Sequence, residues 1–203
     1  LRFADAAEGL SCAECGLPPG LNVSTVQQRD AKGAVTAAAM VGRAGGSLVV
    51  AVAGDSPSNP MAHPLQQMFV LESLNATQCP GMEVWRASLS TWRSLRAGVF
   101  ELIALYAQGA ETTLTLRVSG YSGGAPVAAL FSLDIAWALA SGALPRDKLQ
   151  LGPTHTFGGG SLGNLAFVQC YERWVGSTSG HFAVVHGRDP YAPYAARDPS
   201  LDP

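Results

Sequence analysis

A serine flanked by glycines is the feature of this sequence best suited to chemistry. Residues 120–124 read Gly-Tyr-Ser-Gly-Gly, so Ser122 lies between Gly120 and Gly124 in the pattern Gly-x-Ser-x-Gly. The residues before it alternate like a strand, and those after it are rich in alanine and leucine, like a buried helix. A serine nucleophile is held on a tight turn in this strand–turn–helix setting. The pattern therefore predicts a nucleophilic Ser122, with an ordinary Gly-Ser turn as the alternative.

The residues around Ser122 fit the same interpretation. Side chains two positions before and after the serine would collide in so tight a turn, and glycines remove that obstacle. The N-terminus of the following helix presents backbone N–H groups and the positive end of its dipole. The N–H of Gly123 is thus a candidate donor to an oxyanion. A serine also needs a base and usually a carboxylate that orients the base.

The elements that must position this turn alternate from residue 88 onward. Apolar residues recur at three- and four-residue steps over residues 88–108, which predicts a helix. Residues 113–119 and 125–141 predict a strand and a buried helix. Other candidates are strands at 34–41 and 47–53, a helix or strand at 65–72, a short strand at 149–151, a turn at 156–160, a helix at 162–171 and a strand at 182–186. This order favours an α/β fold with a mainly parallel sheet.

Length and composition predict one globular domain. The chain has 203 residues, of which 47% are hydrophobic and 14% charged, and its net charge is −2. We expect residues 1–30 to form a loosely structured extension and residues 31–203 to form the domain. The scattered basic residues give no sign of nucleic-acid binding, and no segment approaches the ~20 apolar residues of a membrane helix. Because the sequence begins with Leu1, we expect a processed product or a fragment.

The cysteines and two sequons favour the secretory pathway. Asn22 and Asn75 each begin an Asn-x-Ser/Thr sequon, and the cysteine count is even. A zinc site is an alternative, but the cysteines lack a second ligand pair at close spacing. We therefore expect a local disulfide and a second pair that is either bridged or buried as thiols; these pairs are Cys12 with Cys15, and Cys79 with Cys170.

Several segments resemble the class 3 (fungal-type triacylglycerol) lipase family, in collinear order over roughly residues 10–194. Residues 116–125 are similar to its nucleophile segment, V-T-G-H-S-L-G-G-A. Before this segment, residues 49–56 are similar to V-x-F-R-G-T/S, and residues 81–85 with the following helix are similar to the region that precedes the nucleophile turn. After it, residues 156–167 are similar to T-F-G-S-P-R-V-G-N-x-A-F and residues 184–190 to V-V-H-x-x-D-P-V-P. Cys12 and Cys15 are similar to the cysteines of W-x-C-x-x-C. The resemblance implies an α/β-hydrolase fold, with a mostly parallel central sheet flanked by helices, lacking the C-terminal part that carries the family histidine.

The resemblance also implies roles for single residues. Ser122 is the nucleophile, Asp189 the triad carboxylate, and Asp55 takes the place of the oxyanion-loop serine or threonine. Residues 56–68 fall in the lid segment, which in this family opens to expose an apolar surface. Tyr121 and Gly123 replace the His and Leu of the motif. The family histidine lies several tens of residues beyond the aspartate, and none of the four histidines takes that role by motif; these are His63, His155, His181 and His186.

Two functions follow from these residues. The first is a secreted carboxylic ester hydrolase that acts on acyl lipids through an acyl-enzyme at Ser122 and needs no metal or organic cofactor. The second is a catalytically inactive lipase-fold module that serves as a structural or interaction subunit of an assembly. Ser122, Asp189 and the elbow glycines favour the first. The unmatched histidine, Asp55 and a lid segment without an apolar stripe favour the second.

Overall fold

Twelve elements build the domain in the computed structural model, which describes residues 22–54, 70–74, 76–160 and 162–187. The strands are β1 (Asn22–Arg29), β2 (Val35–Ala44), β3 (Ser47–Val52), β4 (Leu71–Ser73), β5 (Glu83–Trp85), β6 (Leu114–Tyr121), β7 (Leu149–Phe157) and β8 (His181–Val184). The helices are α1 (Arg86–Gln108), α2 (Gly124–Ser141) and α3 (Leu165–Tyr171), and a π-helical turn (Glu172–Gly176) continues α3.

In the described part of the chain, the central sheet has six strands in the order β1-β2-β3-β6-β7-β8. The first three strands form an antiparallel meander, and β3, β6, β7 and β8 run parallel to one another. The helices lie in the connections between the parallel strands, because parallel strands are joined by long crossovers that usually contain a helix. The structure thus confirms the mostly parallel sheet flanked by helices. All four parallel strands end at one edge, where parallel α/β sheets hold their ligands.

Two groups of apolar side chains form the core. The larger group lies between the sheet and helices α1 and α2, and its largest members include Phe131, Leu48, Leu116 and Ile103. The smaller group lies between α2 and α3. α2 is long and apolar enough to cross a membrane, but 78% of it is buried inside the protein, as in the core helix of a globular domain.

An ion pair between exposed Arg96 and buried Asp134 joins α1 to α2. Two nitrogens of Arg96 donate to the carboxylate of Asp134, at 2.7 and 3.1 Å. Burial raises the pKa of Asp134, and the guanidinium opposes that shift. The same guanidinium lies over the rings of Trp92 and Phe100, at 5.6 and 4.7 Å from their centroids. A charged pair so placed fixes how the two helices meet.

The expectation of loose structure is wrong for Asn22–Arg29, which form the edge strand β1. Only one face of β1 packs on the protein, so its sequence is largely polar and gives a weak strand signal. Val26 provides the contact: a Cβ on Gly98 of α1 would lie 2.8 Å from its Cγ1 atom. The glycine lets α1 approach β1 closely. Whether residues 1–30 form a separate extension remains a prediction.

Strand β7 is longer than the sequence suggests. Residues 149–151 were expected to form a short strand, but β7 continues to Phe157, and the expected turn begins only at Gly158. Gly152 and Pro153 interrupt the strand signal, because neither residue favours a strand interior. A register shift absorbs them: Leu151 pairs with Leu116 and Thr154 pairs with Val118. This bulge lets the strand run past the proline.

The helix expected at residues 162–171 begins three residues later, at Leu165. Asn164 caps it, accepting the N–H of Phe167 at 3.0 Å. The same side chain accepts the N–H of Glu83 at 3.2 Å and donates to the carbonyl of Gly81 at 2.9 Å. Asn164 thereby joins the start of α3 to the strand β5.

Candidate active site

Ser122 lies in the turn between β6 and α2. Its backbone has φ = 50°, and no other non-glycine residue in the described parts of the chain has a positive φ. This left-handed conformation costs a residue with a side chain on the order of 1 kcal/mol or more. Two hydrogen bonds hold it: the Ser122 N–H donates to the carbonyl of Phe157 at 2.9 Å, and the Ser122 carbonyl accepts from Ala125 at 3.0 Å. A strained serine at a strand–helix turn is the geometry of a nucleophile elbow.

The flanking glycines are required by close backbone packing. A Cβ on Gly120 would lie 2.8 Å from the Cβ of Ala128, and it would also collide with the backbone of Gly124. A Cβ on Gly124 would lie 2.6 Å from the carbonyl oxygen of Val52. The turn thus lets α2 leave β6 at once and pack on the end of β3. This explains both glycines of the pattern by geometry.

The N-terminus of α2 gives the turn a positive electrostatic character. Gly123 is the N-cap residue, with φ = −58° and ψ = −22°, and it makes no side-chain cap hydrogen bond to the first turn. Backbone N–H groups at a helix N-terminus attract negative charge. An oxyanion formed at Ser122 would lie next to these groups. Gly123 as a donor to that oxyanion remains a prediction.

The loop after β7 runs beside the same turn. A Cβ on Gly159 would meet the Cβ of Ala125 and would lie 3.7 Å from the carbonyl oxygen of Ser122. Gly158 has φ = 60°, and its N–H donates to the carbonyl of Val184 at 3.0 Å. This glycine loop therefore joins the elbow to the end of β8, at the carboxyl edge of the sheet.

The other residues expected in the site lie in parts of the chain that the structure does not describe. Asp55, the lid residues 56–68 and Asp189 lie outside the described residues. In sequence, Asp55 follows β3 by three residues, and Asp189 follows β8 by five. Both therefore come after strands that end at the edge where Ser122 lies. Their roles remain predictions.

The histidines differ in their relation to Ser122. His63 lies outside the described residues. His155 lies within β7 and stacks on Phe182 of β8, with ring centroids 5.2 Å apart. His181 is the first residue of β8 and forms a 2.8 Å hydrogen bond with the hydroxyl of Thr156. His186, exposed, follows the end of β8 at the carboxyl edge of the sheet.

A buried polar cluster beneath α2 was not predicted from the sequence. Hydroxyls of Ser132 on α2 and Thr154 on β7 are 2.6 Å apart, and both side chains are fully buried. The Tyr171 hydroxyl points toward this pair without forming a hydrogen bond of good geometry. The alternation Thr154-x-Thr156 was the available signal, because both threonines lie on the buried face of β7.

One of the two expected cysteine pairs is bridged. Cys79, which precedes β5, and Cys170 on α3 form a disulfide, so the bridged alternative holds for this pair. Cys12, Cys15 and Asn75 lie outside the described residues, and the two sequons remain predictions. Within the segments that the structure describes, no three His, Cys, Asp or Glu side chains lie together as metal ligands would.

Several solved lipases share this fold. The native Rhizomucor miehei lipase propeptide complex matches with a TM-score of 0.69 and 20% identity, over 96% of this chain and 61% of that one. A triacylglycerol lipase described as having a serine protease triad matches with a TM-score of 0.71 and 20% identity, over 100% and 71%. Lipase II from Rhizopus niveus matches with a TM-score of 0.69 and 18% identity, over 96% and 72%.

The chain spans 51% and 61% of the length of the two Rhizomucor miehei propeptide-complex chains that it matches. At these identities the likeness shows the fold. A search of curated proteins finds no match. The sequence model of the Lipase (class 3) family, by contrast, matches residues 50–198.

A mostly parallel sheet flanked by helices, with a serine on a strained turn between a central strand and a helix, defines an α/β-hydrolase domain. The family match assigns it further: the chain belongs to the class 3 lipase family.

Proposed function

We propose that the protein is a serine carboxylic ester hydrolase that acts on acyl lipids. The observation that carries this proposal is the left-handed backbone of Ser122, with φ = 50°. Such strain persists only where the surrounding structure imposes it, and it concentrates at functional sites. An ordinary turn at this position would place glycine there at lower cost.

The reaction we propose has two halves. The Ser122 hydroxyl attacks the ester carbonyl and loses its proton to a base, and the alcohol leaves as the acyl-enzyme forms. Water then hydrolyses the acyl-enzyme. The Gly123 N–H and the backbone N–H of Asp55 would stabilise the oxyanion of both halves, and Asp189 would orient the base.

The membership in a lipase family supports an acyl ester as substrate. The printed description of one structural match as a triacylglycerol lipase points the same way. The disulfide between Cys79 and Cys170 supports an oxidising compartment, since such bonds are rare in the cytosol. We therefore place the protein in the secretory pathway, with Asn22 and Asn75 as the sites of N-glycosylation.

Labelling with a fluorophosphonate tests the proposal, because the reagent reacts with activated serines. The full-length native protein should be labelled, and Ser122→Ala should abolish the signal. Ser119→Ala is the matched control, since Ser119 lies on the same strand three residues earlier, and it should be labelled like the wild type. Asp189→Asn should slow the reaction at least about a hundredfold.

Absence of labelling in the native protein would refute the proposed hydrolase activity. It would favour the alternative, a catalytically inactive lipase-fold module with a structural or interaction role. If the native protein is labelled, hydrolysis of short- and long-chain acyl esters by unlabelled protein would test the substrate class. Activity on soluble short-chain esters alone would contradict acyl lipids as the substrate.

A further inference from the structure

His181 occupies an enclosed position at the start of β8. Its Nε2 atom and the Thr156 hydroxyl oxygen are 2.8 Å apart. The edge of its ring meets Tyr171 of α3, at a centroid distance of 5.4 Å and an interplanar angle of 62°. His181 therefore connects three elements: its own strand, the neighbouring β7 and the helix behind them.

The surroundings of His181 disfavour a positive charge. Burial lowers its pKa below the ordinary 6.5, and the charge of His155 on β7 lowers it further. Tyr171 offers no negative charge, because burial raises its pKa to about 12, an effect to which Glu172 adds. No acidic side chain in the described residues forms an ion pair with His181.

Strand β8 has few other attachments. Among the residues that the structure describes, β8 is an edge strand of the sheet and pairs with β7 alone. Hydrogen bonds that flank the paired region run from Thr154 to the carbonyl of Gly180 at 3.1 Å and from Gly158 to that of Val184 at 3.0 Å. Phe182 and Val184 are 57% and 46% exposed, so little apolar burial holds the strand. Segments of this kind open at low free-energy cost.

We infer that His181 is a pH-sensitive latch, whose neutral form holds β8 on β7 and α3 and whose protonation releases the strand. A protonated His181 would lie in a half-buried position beside a second histidine, and opening β8 would return it to water. His155 of β7 stacks on Phe182 of β8, so both histidines lie at the contact between β7 and β8.

The latch has a consequence for the site, which rests on the proposed function. Asp189 follows Val184 by five residues. We therefore expect release of β8 to change the activity at low pH. In this role His181 is a positioning residue, since it acts through the strand that leads to Asp189.

Amide hydrogen exchange followed by NMR tests the latch directly. The reporters are the N–H groups of Thr154 and Gly158, which donate to the carbonyls at the two ends of β8. Their protection, corrected for intrinsic exchange, should fall at least about tenfold between about pH 7.5 and about pH 5. The N–H of Thr115, which donates to Gly46 at the other side of the parallel sheet, is the internal reference and should change little.

His181→Gln keeps a hydrogen-bonding group for Thr156 without a titrating ring, and it should make the protection of both reporters independent of pH. His186→Gln is the matched control and should behave like the wild type. Retention of the pH dependence in His181→Gln, or its loss in His186→Gln, overturns the latch. A His181 pKa at or above 6.5, measured by NMR in the wild type, overturns it as well and does not depend on how any variant folds.

Activity provides a separate comparison. If Ser122 is the nucleophile, the acid limb of the kcat/KM profile should move to lower pH in His181→Gln. An unmoved limb alongside pH-independent exchange would refute the link to catalysis. A protein that shows no hydrolase activity but retains the exchange result would refute the proposed function and leave the latch standing.

Discussion

Gly124→Ala adds one methyl group at the point where α2 packs on β3. The new Cβ would lie 2.6 Å from the carbonyl oxygen of Val52, and it would also collide with the carbonyl of Ala53. Both obstacles are backbone atoms: Val52 is the last residue of β3, which is paired on both sides, and Ala53 follows it. They cannot rotate away as a side chain would, so α2 must shift.

The size of the effect follows from two opposing contributions. Alanine favours a helix over glycine by up to about 1 kcal/mol. Overpacking in a close-packed interior costs about 1 to 3 kcal/mol, and a collision with backbone belongs at the upper end. The net loss in unfolding free energy should thus be about 2 kcal/mol, which corresponds to a fall in Tm of about 4 to 8 °C in a domain of this size.

Thermal and denaturant unfolding followed by circular dichroism measure this loss. Gly46→Ala is the control, because a Cβ there meets nothing within 4 Å, and it should change stability by less than about 0.5 kcal/mol. Fluorophosphonate labelling of Ser122 should slow in Gly124→Ala, since α2 carries the backbone N–H groups beside the serine. A Gly124→Ala protein as stable as Gly46→Ala would refute the close packing of the elbow.

Three further predictions follow from other contacts. Ser122→Gly should raise the unfolding free energy by up to about 1 kcal/mol while it abolishes labelling, because glycine accepts the left-handed conformation; a loss of stability would contradict the strain. Cys79→Ser should lower the unfolding free energy by about 4 to 5 kcal/mol, because the bond to Cys170 closes a loop with a sequence separation of 91; urea unfolding measures this, and an unchanged midpoint would contradict it. Ultraviolet titration should find Tyr171 ionising near pH 12, and stability should fall as the pH rises from 10 towards 12, because the folded state retains a proton that the unfolded state has lost; ionisation of every tyrosine near pH 10 would contradict the burial.

The parts of the fold that the sequence predicts well are those in which a local pattern and the tertiary structure agree. The apolar run in β3 and the alternation in β6 reflect burial in the centre of the sheet. The Gly-x-Ser-x-Gly turn was predictable because close contacts within the strand–turn–helix unit and with the adjacent strand leave room only for glycine at these two positions. For β3, β6 and this turn, the local sequence pattern was therefore enough to predict the structure.

The parts that the sequence did not predict depend on contacts between distant segments. Asn164 joins α3 to β5 through residues more than 80 positions earlier, and nothing near it in sequence indicates this. The pairing of Cys79 with Cys170 is likewise a matter of proximity in space. The contacts of His181 were not predicted either. Its hydrogen bond to Thr156 joins two strands, and a local sequence pattern describes each strand separately.

The disulfide between Cys79 and Cys170 also bears on how the protein would withstand proteases. The covalent loop that it closes contains α1, β6, Ser122, α2 and β7. Residues 111–113 between α1 and β6 are exposed and lie inside this loop. A single cut there leaves two fragments still joined by the sulfur bridge, and the second of them carries β6 and Ser122. A nicked molecule would therefore migrate as one species until it is reduced, and its elbow would remain assembled.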